Sequence, residues 1–82
     1  MLGSNLRSGP GEVDLLVAFG PTLVAVEVKT RIGDDPMLAF TADKERRFAA
    51  AAGALRPRPQ RRDVVTVRLE RDGVWVRWLK GI

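Results

Sequence analysis

Two alternating apolar runs hinged on Gly20-Pro21 set the first limit on how this chain can fold. From Glu12, the residues Val13, Leu15 and Val17 alternate with Glu12, Asp14, Leu16 and Ala18, the two-residue period of a strand. The alternation resumes from Thr22 to Thr30, with Val24, Val26 and Val28 on one face and Leu23, Ala25, Glu27 and Lys29 on the other. Together the runs read as an antiparallel hairpin. With Gly20 and Pro21 as its loop, Phe19 pairs with Thr22, Asp14 comes opposite Glu27, and Glu12 opposite Lys29. Opposed residues share a sheet face with side chains about 5 Å apart. A one-residue slip would send Glu27 to the other face, so the juxtaposition depends on that turn or on a compensating bulge.

The rest of the chain is punctuated as clearly. Residues 1–11 are glycine-rich and turn-like, with at most a short strand around Leu2 to Leu6. After a polar loop, Pro36 suits the first position of a helical turn after Asp35. Thr41 can cap a helix from about Ala42 to Leu55, with Asp43 near its positive end. Phe48, Ala51, Ala52 and Leu55 form its apolar stripe, and Arg56-Pro57-Arg58-Pro59 ends it. Asp63 to Glu70 is a valine-rich strand, Asp72-Gly73 a two-residue turn, and Val74 to Lys80 the return strand. The order ββαββ predicts an α/β fold, one mixed sheet with one main helix packed on it. At 82 residues this is a single domain with a thin core.

Composition narrows the chemistry. The chain has no cysteine and no histidine, which excludes disulfide frameworks, thiolate zinc sites and every catalytic triad that needs an imidazole. Any metal must be held by oxygen, which favours magnesium, manganese or calcium. The net charge of +4 is unevenly spread. Residues 1–40 carry three basic against five acidic side chains, and residues 41–82 carry eleven against five. An acidic front and a basic rear suit a protein that gathers cations at one place and polyanions at another. Arginine supplies 11 of the 14 basic residues and suits phosphate through its planar fork; a compositional bias toward arginine and alanine explains the same count. No signal peptide, lipidation motif or long apolar run is present, so the expected location is the cytoplasm, with no membrane partner.

Two carboxylates brought within 5 Å repel by about 3–4 kcal/mol at an effective dielectric of ~20. A divalent cation would offset that cost, with Lys29 assisting. Asp14, Glu27 and Lys29 are thus the residue set of a metal-dependent phosphodiesterase: carboxylates for a hard cation, and a lysine to orient water or stabilise negative charge. Taken alone, Glu27-Val28-Lys29 reads as a solvated salt bridge on a strand, and Asp14 as a surface aspartate; it is their combination with a hairpin of suitable length that points to the site.

GEVDLL at Gly11 to Leu16, followed by LVAVEVKTR at Leu23 to Arg31, resembles the PD-(D/E)XK nuclease core. More narrowly it resembles the YraN-like family of bacterial proteins, which are similar to archaeal Holliday-junction resolvases. Thr41-Ala42-Asp43-Lys44, Arg47, the alanine-rich helix and Arg62-Asp63-Val64-Val65 extend the likeness over roughly residues 2 to 79. The resemblance implies a restriction-endonuclease-like core and a magnesium- or manganese-dependent endonuclease acting on DNA, including branched DNA. It makes Asp14 and Glu27 metal ligands, completed by the Val28 carbonyl, and Lys29 the catalytic lysine. Thr30, Arg31, Lys44 and Arg47 match positions that approach nucleic acid. The departure is at the front. Such proteins normally begin with a helix carrying a further glutamate, whereas Met1 here starts almost at the next strand. The chain therefore reads as an N-terminally short domain, with Glu12 as a partial substitute or simply a partner of Lys29.

That shortness supports a second expectation, a catalytically incomplete domain that binds nucleic acid or protein, with a homodimer covering the exposed sheet face. A small β-rich interaction module is a third. In the rear hairpin, Trp75 and Arg77 lie among Thr66, Arg68, Glu70 and Leu79 on one face. They suit stacking on bases or on a partner chain, or shielding of a sheet edge. Arg56, Arg58, Arg61 and Arg62 suit phosphate contact or plain solubility.

Overall fold

A computed structural model describes residues 2–9 and 11–82. Met1 and Pro10, both in the turn-like opening segment, lie outside the described residues. Five strands form one mixed sheet in the order β1-β2-β3-β4-β5: β1 Gly3–Ser8, β2 Gly11–Phe19, β3 Thr22–Ile32, β4 Arg61–Glu70 and β5 Gly73–Leu79. Neighbours are antiparallel except β3 and β4, which run parallel from Val24↔Arg61 to Ile32↔Leu69. A parallel pair needs a crossover, and α1 (Ala42–Ala54) supplies it. The α/β class with one main helix is as the sequence indicates, and the short front strand is the full edge strand β1. Among the described residues, no helix is long and apolar enough to cross a membrane.

Local chemistry accounts for most boundaries. Gly20, at φ +58, precedes Pro21 in a loop closed by Phe19↔Thr22; glycine first is the pattern of a II′ hairpin turn. Asp35 caps a 3-10 turn over Pro36–Ala39, accepting from the Met37 N–H at 3.0 Å. Thr41 caps α1, its hydroxyl accepting from the Lys44 N–H at 3.3 Å. The second hairpin differs by one residue from expectation. Glu70 pairs with Gly73, so Arg71 and Asp72 form the turn. Neither Asp72 nor Gly73 has a positive φ; glycine here closes a type I turn at its fourth position rather than occupying a primed one.

The core lies between α1 and the sheet, where Val13, Ala25, Phe48, Ala51, Ala52 and Val64 are buried together, flanked by Met37, Phe40 and Leu55. The helix thus covers the face that carries Ala25 and Glu27, the one with smaller side chains, because alanines allow close approach. The opposite face carries the pairs Leu15↔Val26 and Val17↔Val24. Close approach also explains Gly11. A Cβ there would lie 3.2 Å from the Arg47 carbonyl oxygen and 3.5 Å from the Ala51 Cβ. Gly11→Val should therefore push α1 off β2 and cost about 1–3 kcal/mol; urea unfolding with an unchanged m-value measures it.

Candidate active site

The regular β2–β3 ladder extends from Phe19↔Thr22 to Leu15↔Val26 and then stops. The turn therefore sets the anticipated register, but the strands part before the anticipated Asp14–Glu27 and Glu12–Lys29 backbone pairs. On the other side the β1–β2 ladder skips Asn5↔Asp14, and Asn5 has φ +50. Both interruptions fall at Asp14, where β2 changes face. Gly11 and Val13 pack toward α1, and so does Leu16, which opposes the buried Ala25. Residues three apart share a face only where a strand is locally irregular.

The Asp14 carboxylate fills the opening. Its Oδ2 accepts the Val28 N–H at 2.8 Å, replacing a ladder bond with a side-chain bond. Glu27 follows on β3, and its Oε1 lies 2.7 Å from Lys29 Nζ, with the two side chains 12% and 20% exposed. Partial burial pushes the Glu27 pKa up, the hydrogen bond from Lys29 opposes this, and the negative charge of Asp14 pushes it further up. The register thus gives the right neighbours by a different route, since the side chains converge where the backbones separate.

A cleft of about 210 Å³ opens over this point, lined by Glu12, Glu27, Lys29, Lys44, Arg47 and Phe48. Strand β2 brings Glu12, β3 brings Glu27 and Lys29, and the first turns of α1 bring Lys44 and Arg47. Arg47 is held by Asp43 at 3.1 Å. Asp14, Thr30 and Arg31 lie outside this lining. Thr30 sits beside Val67 on the valine face, because even-numbered positions of β3 point away from the carboxylates, and Arg31 pairs with Asp34 at 2.9 Å. Phe48 serves both the core beneath α1 and this lining.

Among the described residues, no three acidic side chains converge as a ready metal cage. Asp14 and Glu27 still fit a hard cation, because magnesium is commonly held by one or two carboxylates, with water and substrate phosphate completing its shell. The basic cluster is largely occupied elsewhere. Arg56 donates to the Gly53 and Leu55 carbonyls at 2.9 and 2.7 Å, Arg61 pairs with Asp63 at 2.9 Å, and Arg62 donates to the Ile82 carbonyl at 3.2 Å.

Sequence reasoning missed a second polar centre. Asp63 is fully buried and accepts from Arg61 Nε and Nη2 at 2.9 Å, Trp78 Nε1 at 2.8 Å and the Gly81 N–H at 3.0 Å. The Phe19 ring lies 5.5 Å from Trp78 and the Arg61 guanidinium 5.8 Å from Phe19. The available signal was Arg61 two residues before Asp63, on the same strand face.

With this geometry in place, comparison with known proteins decides the family. Residues 1–67 match the model described as "Uncharacterised protein family UPF0102". The chain belongs to the UPF0102 family. This is the YraN-like family to which the GEVDLL and VEVKTR segments point. A UPF0102 protein of Rhizorhabdus wittichii is 52% identical over 60 residues, covering 71% of this chain and 50% of the relative. One from Symbiobacterium thermophilum is 42% identical over 82 residues, covering 89% and 70%. One from Clavibacter michiganensis is 38% identical over 81 residues, covering 94% and 65%. The chain thus spans between half and seven tenths of the length of these UPF0102 relatives. It matches no solved structure.

Proposed function

We propose that this UPF0102 chain is a metal-dependent endonuclease of the PD-(D/E)XK type that hydrolyses phosphodiester bonds in DNA, branched DNA included. The observation that carries the reading is the convergence of Asp14, Glu27 and Lys29 where β2 and β3 part. A magnesium or manganese ion held by Asp14, Glu27 and the Val28 carbonyl would polarise the scissile phosphate and activate water. The chain's own groups do the rest. Glu27, with its pKa raised by burial and further by Asp14, gains from any cation that relieves the repulsion. Lys29 neutralises charge developing on phosphate or orients the attacking water. Lys44 and Arg47, on the cleft wall, hold the backbone of the substrate, and Arg31, two residues beyond Lys29 on the same strand face, approaches it from outside the lining. Its working place is the cytoplasm and its working form a homodimer.

The test is cleavage of plasmid and four-way-junction DNA with magnesium or manganese, comparing wild type with Glu27→Ala. Metal-dependent nicking by wild type alone is expected; equal activity of the two, or none in either at high protein concentration, rejects the reading. A second reading, a catalytically incomplete domain that binds DNA or protein, is favoured by the absence of a third converging carboxylate among the described residues. It predicts DNA affinity that falls steeply with salt while calorimetry finds no Asp14-dependent manganese binding.

A further inference from the structure

We propose that β5 is a self-complementary edge through which two copies of this chain join their sheets, antiparallel, about a twofold axis at Val76. The inference rests on the sheet edges and not on the nuclease reading.

The two edges of the sheet differ. Strand β1 is blunted: it is built from Gly3, Ser4, Asn5, Leu6, Arg7 and Ser8, and the positive φ of Asn5 breaks its line. Strand β5 has no proline and none of the positive-φ breaks seen in β1, and Val74 to Trp78 are exposed on both faces. Val74 is 61% exposed, Trp75 57%, Val76 63% and Trp78 46%. Natural edges are normally protected by charge, proline or irregularity, so a regular apolar edge marks a pairing surface.

The hydrogen-bond phase of β5 fixes which groups face outward. The Leu69 carbonyl is turned to β3, where it accepts the Gly33 N–H at 2.8 Å. Leu69↔Val74 is therefore a non-hydrogen-bonded pair, and so, by alternation, are Val67↔Val76 and Val65↔Trp78. Val74, Val76 and Trp78 thus present their N–H and C=O groups away from the sheet. An antiparallel twofold centred on Val76 matches these groups with one another: Val76 with the partner's Val76, and Val74 with the partner's Trp78.

The side chains agree with that register. The intervening pair sets Trp75 against the partner's Arg77, and Arg77 against the partner's Trp75. These are non-hydrogen-bonded positions, where side chains come closest and a guanidinium can lie over an indole. Val74 meets the partner's Trp78 on the other face. A twofold centred on Arg77 would oppose two like charges, and one centred on Trp75 would set Trp78 against Asp72 in the turn. The Val76 register satisfies the backbone, the apolar surface and the charges together.

Sedimentation equilibrium of the 9.0 kDa chain across the micromolar range tests this, and a mass rising to twice the monomer is expected. Val76→Pro removes an outward N–H, a position where an edge strand tolerates proline. It should weaken association by about 30-fold, as loss of one hydrogen bond from each copy implies. Arg77→Glu leaves the backbone intact and should weaken association by about 10-fold through loss of both cation–π contacts. Thermal melting monitors folding, and Arg77→Glu carries the test if the proline variant unfolds. A chain that stays monomeric throughout, or a dimer indifferent to the folded variants, overturns the proposal.

Discussion

Asp63→Asn should cost the fold about 3 kcal/mol, because an uncharged amide cannot accept all four donors and leaves buried N–H groups unmet. For a chain of 82 residues, whose total stability is on the order of 4–12 kcal/mol, that removes a large fraction. Urea unfolding measures it. The effect carries a pH signature. Burial alone would raise the Asp63 pKa; the Arg61 guanidinium, the Gly81 N–H and the Trp78 indole outweigh it and hold the carboxyl below the ordinary aspartate value of 3.8. A depressed carboxyl stabilises the fold above its unfolded pKa and loses that contribution as pH falls through the folded one. Wild type should thus lose its advantage over Asp63→Asn only below about pH 4. A difference that persists unchanged at pH 2 would show that packing, not charge, is what Asp63 contributes.

On the proposed nuclease reading, Glu27→Ala should lower the cleavage rate by about 10³-fold or more, the scale on which electrostatic and metal-holding groups act. Lys29→Met should lose on the order of 10²–10³-fold. The control is stability. Because the Glu27 pKa is raised above 4.5 by burial and by Asp14, its ionised form is disfavoured in the fold. As pH rises from that value through the raised one, wild type should lose stability that Glu27→Gln retains. Loss of cleavage without loss of stability at neutral pH therefore separates a catalytic role from a structural one. Adding manganese should stabilise wild type by about 2.7 kcal/mol at a hundredfold excess over the dissociation constant, and Glu27→Gln much less.

Local signals made most of the fold legible. Gly20-Pro21, Asp35-Pro36 and Thr41 each determine a boundary from within a few residues, so the hairpin, the 3-10 turn and the helix start can be read from the chain. The Arg71–Asp72 turn is offset because an Asp-Gly pair serves both primed and type I turns, and only the pairing of Glu70 with Gly73 decides between them. At the candidate site, turn register predicts that Asp14 and Glu27 are neighbours. It cannot predict the parting of the strands, which depends on Asn5 in β1 and the Val28 amide in β3 at once. Asp63 escaped for a similar reason, since Trp78 and Gly81 reach it only after β5 has folded back. Lys44 and Arg47 line the cleft, while strand parity turns Thr30 away from it.

The single parallel pairing has a kinetic consequence. Strands β1, β2 and β3 form an antiparallel meander and β4 and β5 a hairpin, and each closes through contacts near in sequence. The seam between them, from Val24↔Arg61 to Ile32↔Leu69, joins positions 37 apart. Loop closure must come before such pairing can reward it. The seam is therefore the step on which folding waits, and it runs beside Glu27 and Lys29. The strand that carries Glu27 and Lys29 would complete its hydrogen bonding last, leaving the candidate site without form until the two halves have met.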